Sequence, residues 1–273
     1  MVFSRRSAVY MLLVGLLVLF LSPFGWLVLT ALKDSSELRA LPIHWWPHDP
    51  NLGNFYEALT HIDYLGYARN SLTIAGIYSV LVTLASAWAG YGFARLEAPG
   101  KRVIFGVLLS TMMLPQIITL IPTYLLFADF HLVNTYMPWV LWGLAGTPYL
   151  IFLFRQFFTN MPKELEEAAI IDGCGQVRIF WRIFLPQSWP VIATSLILSF
   201  SWSWGDYLAP ALLLDTDRTT LAVKLATGYT NAHGAQMSNF MAAGAVMYVV
   251  PVLALFLIVQ RGFVSGISTS GLK

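Results

Sequence analysis

Two stretches hold the residues best placed to do chemistry. The first reads Asn160-Met-Pro-Lys-Glu-Leu-Glu-Glu-Ala-Ala-Ile-Ile-Asp-Gly-Cys-Gly-Gln-Val-Arg-Ile-Phe-Trp-Arg-Ile-Phe-Leu-Pro186. Its acids Glu164, Glu166 and Glu167 crowd the start of a short helix, near the positive end of the helix dipole. From spacing alone Glu167 reads equally as a polar contact for a partner or as a solvated carboxylate with a dipole role. The second stretch is Trp202-Ser-Trp-Gly-Asp-Tyr207. An acid in an apolar segment points to function: Asp206 could accept from substrate hydroxyls while Trp202, Trp204 or Tyr207 stacks on a sugar. The same residues also suit an aromatic belt at the lipid–water boundary. A helix starting near Pro190 carries Asp206 about 24 Å, toward the far boundary. His44 and His48 are four apart, but Pro47 and the neighbouring Trp45-Trp46 disfavour a helical metal site. No G-x-x-x-x-G-K-[ST] loop is present, since Gly100-Lys101 lacks the upstream glycine and precedes Arg102. No convergent acid–base or metal constellation of an enzyme appears.

The elements that must position these residues follow from composition. Of 273 residues, 57% are hydrophobic and only 11% are charged, against roughly 25% charged in a soluble domain. A fold of this length cannot face water with so little charge. A bilayer core needs about 20 apolar helical residues, because lipid offers backbone groups no partner. Stretches free of Asp, Glu, Lys and Arg predict about six spans, near 8–32, 70–94, 103–128, 133–155, 190–213 and 240–260. The expected fold is therefore an all-α, polytopic membrane protein forming a single transmembrane domain over 1–273. Arg5 and Arg6 before the first run imitate a signal peptide, but the run exceeds the roughly 7–15 residues of a signal core. A net charge of +2 gives no case for nucleic acid. The single cysteine, Cys174, excludes an internal disulfide and reads as a small apolar filler.

Lys and Arg favour the inner side of a membrane. With the N-terminus inside, eleven of the sixteen fall on inner segments and five on outer ones. N- and C-termini are thus expected in the cytosol, with 156–187 the largest inner connection and 215–239 a long polar outer loop. Within 156–187, Asn160 is expected to cap a first helix, with Pro162 in its first turn. Gly173 is expected to end it in left-handed geometry. A second amphipathic segment, with Val177, Phe180, Trp181 and Phe184 apolar, then runs to Pro186. Such a pair lies along the membrane surface as a ledge for a cytosolic partner.

The pattern Glu167-Ala168-Ala169, three residues, Gly173, nine residues, Ile183, one residue, Leu185-Pro186 resembles the EAA loop of ABC importer permeases, and Asp172 matches the common Asp-Gly pair. The resemblance extends over most of the chain, best over about 65–266, to the smaller permease of carbohydrate-type (maltose-like) importers. Asn70-Ser71, Ala89-Gly-Tyr-Gly-Phe-Ala-Arg95, Pro99-Gly-Lys, Met113-Leu-Pro115, Ile121-Pro122 and the ending Gln260-Arg-Gly-Phe-Val-Ser-Gly266 with Gly271 and Lys273 carry it. Gly262 departs from the bulky residue expected there; with Gly266 it forms a weak GxxxG pattern beyond the last span.

The resemblance implies a type I ABC importer permease fold in a bacterial-type cytoplasmic (inner) membrane, moving a carbohydrate or related polyol phosphate by alternating access. It implies no cofactor in this chain, with ATP and Mg held by two separate ATPase subunits. It further implies a second permease subunit, forming a heterodimer, and an extracytoplasmic substrate-binding protein that meets the 215–239 loop. Glu167, Ala168, Ala169, Asp172, Gly173, Ile183, Leu185 and Pro186 would couple to the ATPase, with both alanines allowing close approach and Gly173 shaping the turn. In maltose-type systems the main sugar site lies in the other permease. The rival reading is an ion-coupled secondary transporter, which would need coupling residues at mid-membrane; no acid or base falls near the middle of any span. A purely structural subunit would leave the loop pattern without a reason.

Overall fold

The computed structural model describes residues 2–231 and 233–270, with side chains described over 7–231 and 233–258. Gly271 and Lys273 of the tail motif lie outside the described residues, as do the side chains of Arg5, Arg6 and the Gln260–Gly266 run. The helices are α1 Val2–Ala31, α2 Gly53–His61, α3 Tyr64–Arg95, α4 Lys101–Ser110, α5 Gln116–Asp129, α6 Met137–Ala145, α7 Pro148–Thr159, α8 Glu164–Ile171, α9 Gln176–Ile179, α10 Leu185–Gln187, α11 Trp189–Trp204, α12 Leu208–Leu213, α13 Leu221–Thr227 and α14 Ser238–Ser270. Among the described residues strand pairing is confined to an isolated bridge between Thr230 and Gln236. The fold is all-α.

Four stretches, Ser7–Ala31, Tyr64–Arg95, Met137–Thr159 and Ser238–Ile258, are long and apolar enough to cross a bilayer. Two bent pairs raise that number to six when each pair is counted as one span.

The region expected as one helix over 103–128 is broken. Lys101–Met113 and Gln116–Asp129 meet at 101°. The cause is local: Leu114 is extended, with φ −79° and ψ 120°, as the residue before a proline tends to be. Pro115 then starts α5 as its N-cap. The 190–213 region is also divided, α11 ending at Trp204 and the six-residue α12 following after Gly205–Tyr207. Between α6 and α7, Gly146 takes φ +71° and the Thr147 hydroxyl accepts from Leu150 N, a side-chain cap that restarts the helix.

The chain forms two compact units. One comprises the chain up to Tyr67 together with Val223–Val250. Buried Asn54 organises it, donating to the Ala31 and Lys33 carbonyls at 2.8 and 2.9 Å and accepting from Asn239 at 3.1 Å. Tyr64 Oη donates to Gly244 O and Tyr229 Oη to Ala58 O. Lys33, buried, donates to the His44 carbonyl and sits over the Trp26 ring. The His44 and His48 rings pack edge to face at 4.8 Å, and among the described residues no three metal-binding side chains cluster.

The other unit comprises Ala68–Ala222 and the chain from Pro251 onward. Here α3 and α7 meet backbone to backbone. A Cβ on Gly90 would lie 2.7 Å from Phe154 Cβ and 2.9 Å from Arg155 N, so only glycine permits this approach, as small residues do where membrane helices cross. Thr83 and Ser195 hydroxyls bond at 2.8 Å between α3 and α11. Asn70 donates to the Asp217 and Thr219 carbonyls and Ser71 Oγ accepts from Leu221 N. That pair pins the start of the polar 215–239 segment to α3.

Candidate functional site

The 156–187 connection stands on an aromatic core. Tyr91 of α3, Phe154 and Phe158 of α7, Ile179 at the end of α9, and Phe180 and Phe184 just beyond it are all buried together. Phe180–Phe184 is a π-helical turn inserted between α9 and α10. The Tyr91 ring lies 5.3 Å from Phe180 and 5.0 Å from Phe184, and its hydroxyl donates to Gln176 Oε1 at 2.5 Å. Arg95, at the end of α3, donates to the Phe158 and Met161 carbonyls. Its guanidinium also lies over the Phe184 ring at 4.9 Å and 3.8 Å from Glu166. A planar fork suits such multiple contacts.

On this base α8 presents one face outward. Glu164, Glu166 and Glu167 occupy its first turn. Glu166 turns inward to Arg95, while Glu164, Glu167 and Ala168 are exposed. Ala169 is buried in the aromatic core. The expectation that both alanines face a partner is therefore corrected: Ala169 lets α8 sit close on its own support, and Ala168 alone is outward. Asp172 ends α8. Gly173 follows with φ +78° and open space around it, so its backbone rather than crowding calls for glycine.

Three further local expectations are corrected. Asn160 ends α7 instead of starting α8, whose N-cap position is Lys163 with no side-chain bond. Pro162 accordingly precedes the helix. In the second segment Phe180 and Phe184 face inward, but Val177 and Trp181 are exposed. Ile170 and Ile171 of the first segment are exposed as well, the latter at 86%. Ile183 and Leu185 are half-buried and Pro186 is exposed. Sequence reasoning gave Tyr91 and Arg95 no role of their own, because the only signal was a positive charge at the end of an apolar run.

The second group divides. Trp202 is 44% exposed and Trp204 only 2%, as expected for neighbours two apart on a helix, which point to opposite sides. Trp204 stacks on Phe200 at 5.7 Å and belongs to the core. Tyr207 is exposed. Trp202 and Asp206 line a cavity of about 600 Å³. The rings of Tyr78, Trp139 and Trp142 form other walls, with Gln116 and Ser203 supplying polar groups. Asp206 Oδ1 accepts from Ala209 N at 3.3 Å in the first turn of α12. Of the four residues grouped from sequence, the structure brings together two.

Comparison with known proteins covers most of the chain. Residues 82–268 match the family model described as binding-protein-dependent transport system inner membrane component. The chain is 34% identical to the arabinooligosaccharides transport system permease protein AraQ of Halalkalibacterium halodurans, over 90% of this chain and 89% of that one. It is 32% identical to the melibiose/raffinose/stachyose import permease protein MelC of Bacillus subtilis, over 92% and 91%. Among solved structures it resembles a chain of a bacterial ABC transporter involved in the import of the acidic polysaccharide alginate, with a TM-score of 0.81 at 21% identity, covering 95% and 96%. That likeness gives the type I ABC importer permease fold.

Proposed function

This chain belongs to the family of binding-protein-dependent transport system inner membrane components, and from that premise we propose that it is one of two membrane subunits of an ATP-driven carbohydrate importer, coupled to an ATPase through the 156–187 connection. Membership makes it a multi-pass membrane permease, a transport rather than a catalytic protein. In this reading the partners are a second permease, two ATPase subunits that hold ATP and Mg, and an extracytoplasmic binding protein. Both termini and the 156–187 connection face the cytosol of the cell whose inner membrane the chain spans.

One observation carries the coupling proposal. An exposed ledge of Glu167, Ala168, Asp172 and Gly173, flanked by exposed Ile170, Ile171, Val177 and Trp181, stands on a buried aromatic base. Apolar side chains rimmed by carboxylates suit the seat of another protein. Glu167 contributes the polar contact. Gly173 sets the turn between the two short helices. The rigid support beneath would convert movement of a docked ATPase into movement of α3 and α7. Transport then follows from alternating access, with no bond made or broken in this chain.

The test is purification of the tagged protein in mild detergent with mass spectrometry of what accompanies it. An ATPase with a nucleotide-binding loop and a second multi-pass permease are expected. Recovery of this chain alone, active in uptake driven by an ion gradient, would replace the proposal with the secondary-transporter reading.

A further inference from the structure

The cavity beside Asp206 has a composition that goes beyond transport by an unspecified path. At about 600 Å³ it falls within the roughly 300–1,000 Å³ of small-molecule sites. Trp139, Trp142, Trp202 and Tyr78 give it aromatic walls. The Trp139 and Trp142 rings meet edge to face at 5.7 Å, and Trp202 packs edge-on against Tyr149, so each of the three indoles is held against another ring. Between the walls stand the Asp206 carboxyl, the Gln116 amide and the Ser203 and Thr147 hydroxyls, and no Lys, Arg or His is among the described residues that line the space. Ser203 is 7% exposed, and its Oγ is buried with no hydrogen-bond partner among the described residues. A buried hydroxyl without a partner calls for an explanation, and a bound ligand or water supplies one. Asp206 is held by its bond to Ala209 N, and a carboxylate retains lone pairs for further donors.

These features match one chemical class. An uncharged sugar ring has C–H faces that pack on aromatic walls and hydroxyls that donate to a carboxylate. An acidic or phosphorylated sugar would bring a negative charge into a site with no cation, and Asp206 adds no positive charge in either protonation state. Burying that charge unpaired is unfavourable, so the site discriminates by exclusion.

We propose that this cavity is a carbohydrate subsite belonging to this chain itself, formed by Trp202, Asp206 and Ser203 with the facing Trp139 and Trp142, and selective for uncharged sugars over uronates and sugar phosphates. The proposal rests on the importer reading. It assigns the chain a part in choosing the solute as well as in moving it.

The test uses the full transporter as it co-purifies, carrying Cys174→Ser so that an introduced thiol is unique within this chain, whose labelling is read after the subunits are separated by gel. Ala145→Cys places that thiol in the cavity wall, Gln116→Cys serves as a second reporter, and Leu41→Cys, exposed and outside the cavity lining, is the control. Labelling by N-ethylmaleimide is timed with maltotriose, raffinose, arabinotriose, trigalacturonate or glucose 6-phosphate. At saturation at least one neutral sugar slows labelling at the cavity by about fivefold or more, while trigalacturonate and glucose 6-phosphate do not, and the control is unaffected. Asp206→Asn and Trp202→Ala each remove the protection. Absence of protection by any neutral sugar overturns the proposal. So does equal protection by the acidic sugars, or protection that survives both substitutions. ATP hydrolysis by a co-purified subunit is measured in the same preparation: hydrolysis without protection removes the subsite alone, whereas no ATPase at all removes the importer reading.

Discussion

The Arg95 guanidinium sits 3.8 Å from the Glu166 carboxylate while donating to two carbonyls more than sixty residues further along the chain. One side chain thus ties the end of α3 to the end of α7 and to α8. Both partners of the ion pair are largely buried, with side-chain exposures of 5% and 15%. Removing one member of such a pair leaves an uncompensated charge and costs about 3–5 kcal/mol. Arg95→Ala is expected to loosen the Lys163–Asp172 segment, seen as faster amide hydrogen exchange there with α11 unchanged. Arg95→Lys keeps the charge but not the fork and should fall between. Equal exchange in all three proteins would mean the tie is idle.

Glu167, one residue on, points outward with no ion pair among the described residues. Glu167→Lys should therefore leave the fold intact. A charge-assisted contact across an interface contributes about 1.5–3 kcal/mol, so docking of the ATPase should weaken by one to two orders of magnitude, and uptake with it. Glu166→Lys is expected to do the reverse, destabilising the connection itself. The check is thermal unfolding in detergent beside ATP-driven uptake, and normal uptake by Glu167→Lys would refute the coupling role.

At Gly173 the penalty for a side chain comes from φ +78° and not from crowding, since a Cβ there meets nothing within 4 Å. Gly173→Ala is expected to cost about 1 kcal/mol and Gly173→Asn less, while a β-branched Gly173→Val should cost more and uncouple transport with membrane insertion retained. The order of unfolding temperatures, Gly, Asn, Ala, Val, is the measurement. A flat series would show that the turn adapts.

Trp204 and Trp202 should separate cleanly. Truncating a buried large aromatic costs about 3–5 kcal/mol, so Trp204→Ala, in the core against Phe200, is expected to lower yield and unfolding temperature sharply. Trp202→Ala, on the cavity wall, should leave stability within about 1 kcal/mol. Equal losses for the two would contradict their assignment to core and cavity.

Cys174, partly exposed beside the left-handed turn, reports the orientation that Lys and Arg predict. A membrane-impermeant maleimide should label it in inside-out vesicles and not in intact cells. Labelling from outside alone would invert the topology.

Much of this architecture was legible before any coordinates, because lipid imposes simple rules on length and charge. Apolar runs pointed to an all-α membrane fold with several candidate spans, and the break after Asp172 could be placed from Gly173. What escaped had no local signal. The bend at Leu114–Pro115 sits in an apolar run whose composition continues unchanged on both sides, although the proline itself was a warning. The roles of Tyr91 and Arg95 depend on residues far along the chain, which no spacing rule reaches. The π-helical turn Phe180–Phe184 shifts side-chain register by one residue, so the exposure of Trp181 did not follow from a regular helical pattern. Trp202 and Trp204 stand two apart on the helix expected from Pro190, and helical period alone would have placed them on different faces.

Gly90 gives the 156–187 connection a mechanical setting. Where α3 and α7 touch backbone to backbone there is no layer of side chains to compress, so neither helix can move toward the other at that level. On the coupling proposal the contact would serve as a fulcrum. If the connection is pushed as proposed, approach of the two helices at this level is closed to them, and tilting about the contact is a movement that stays open. A single missing methyl group would then set the level about which α3 and α7 pivot.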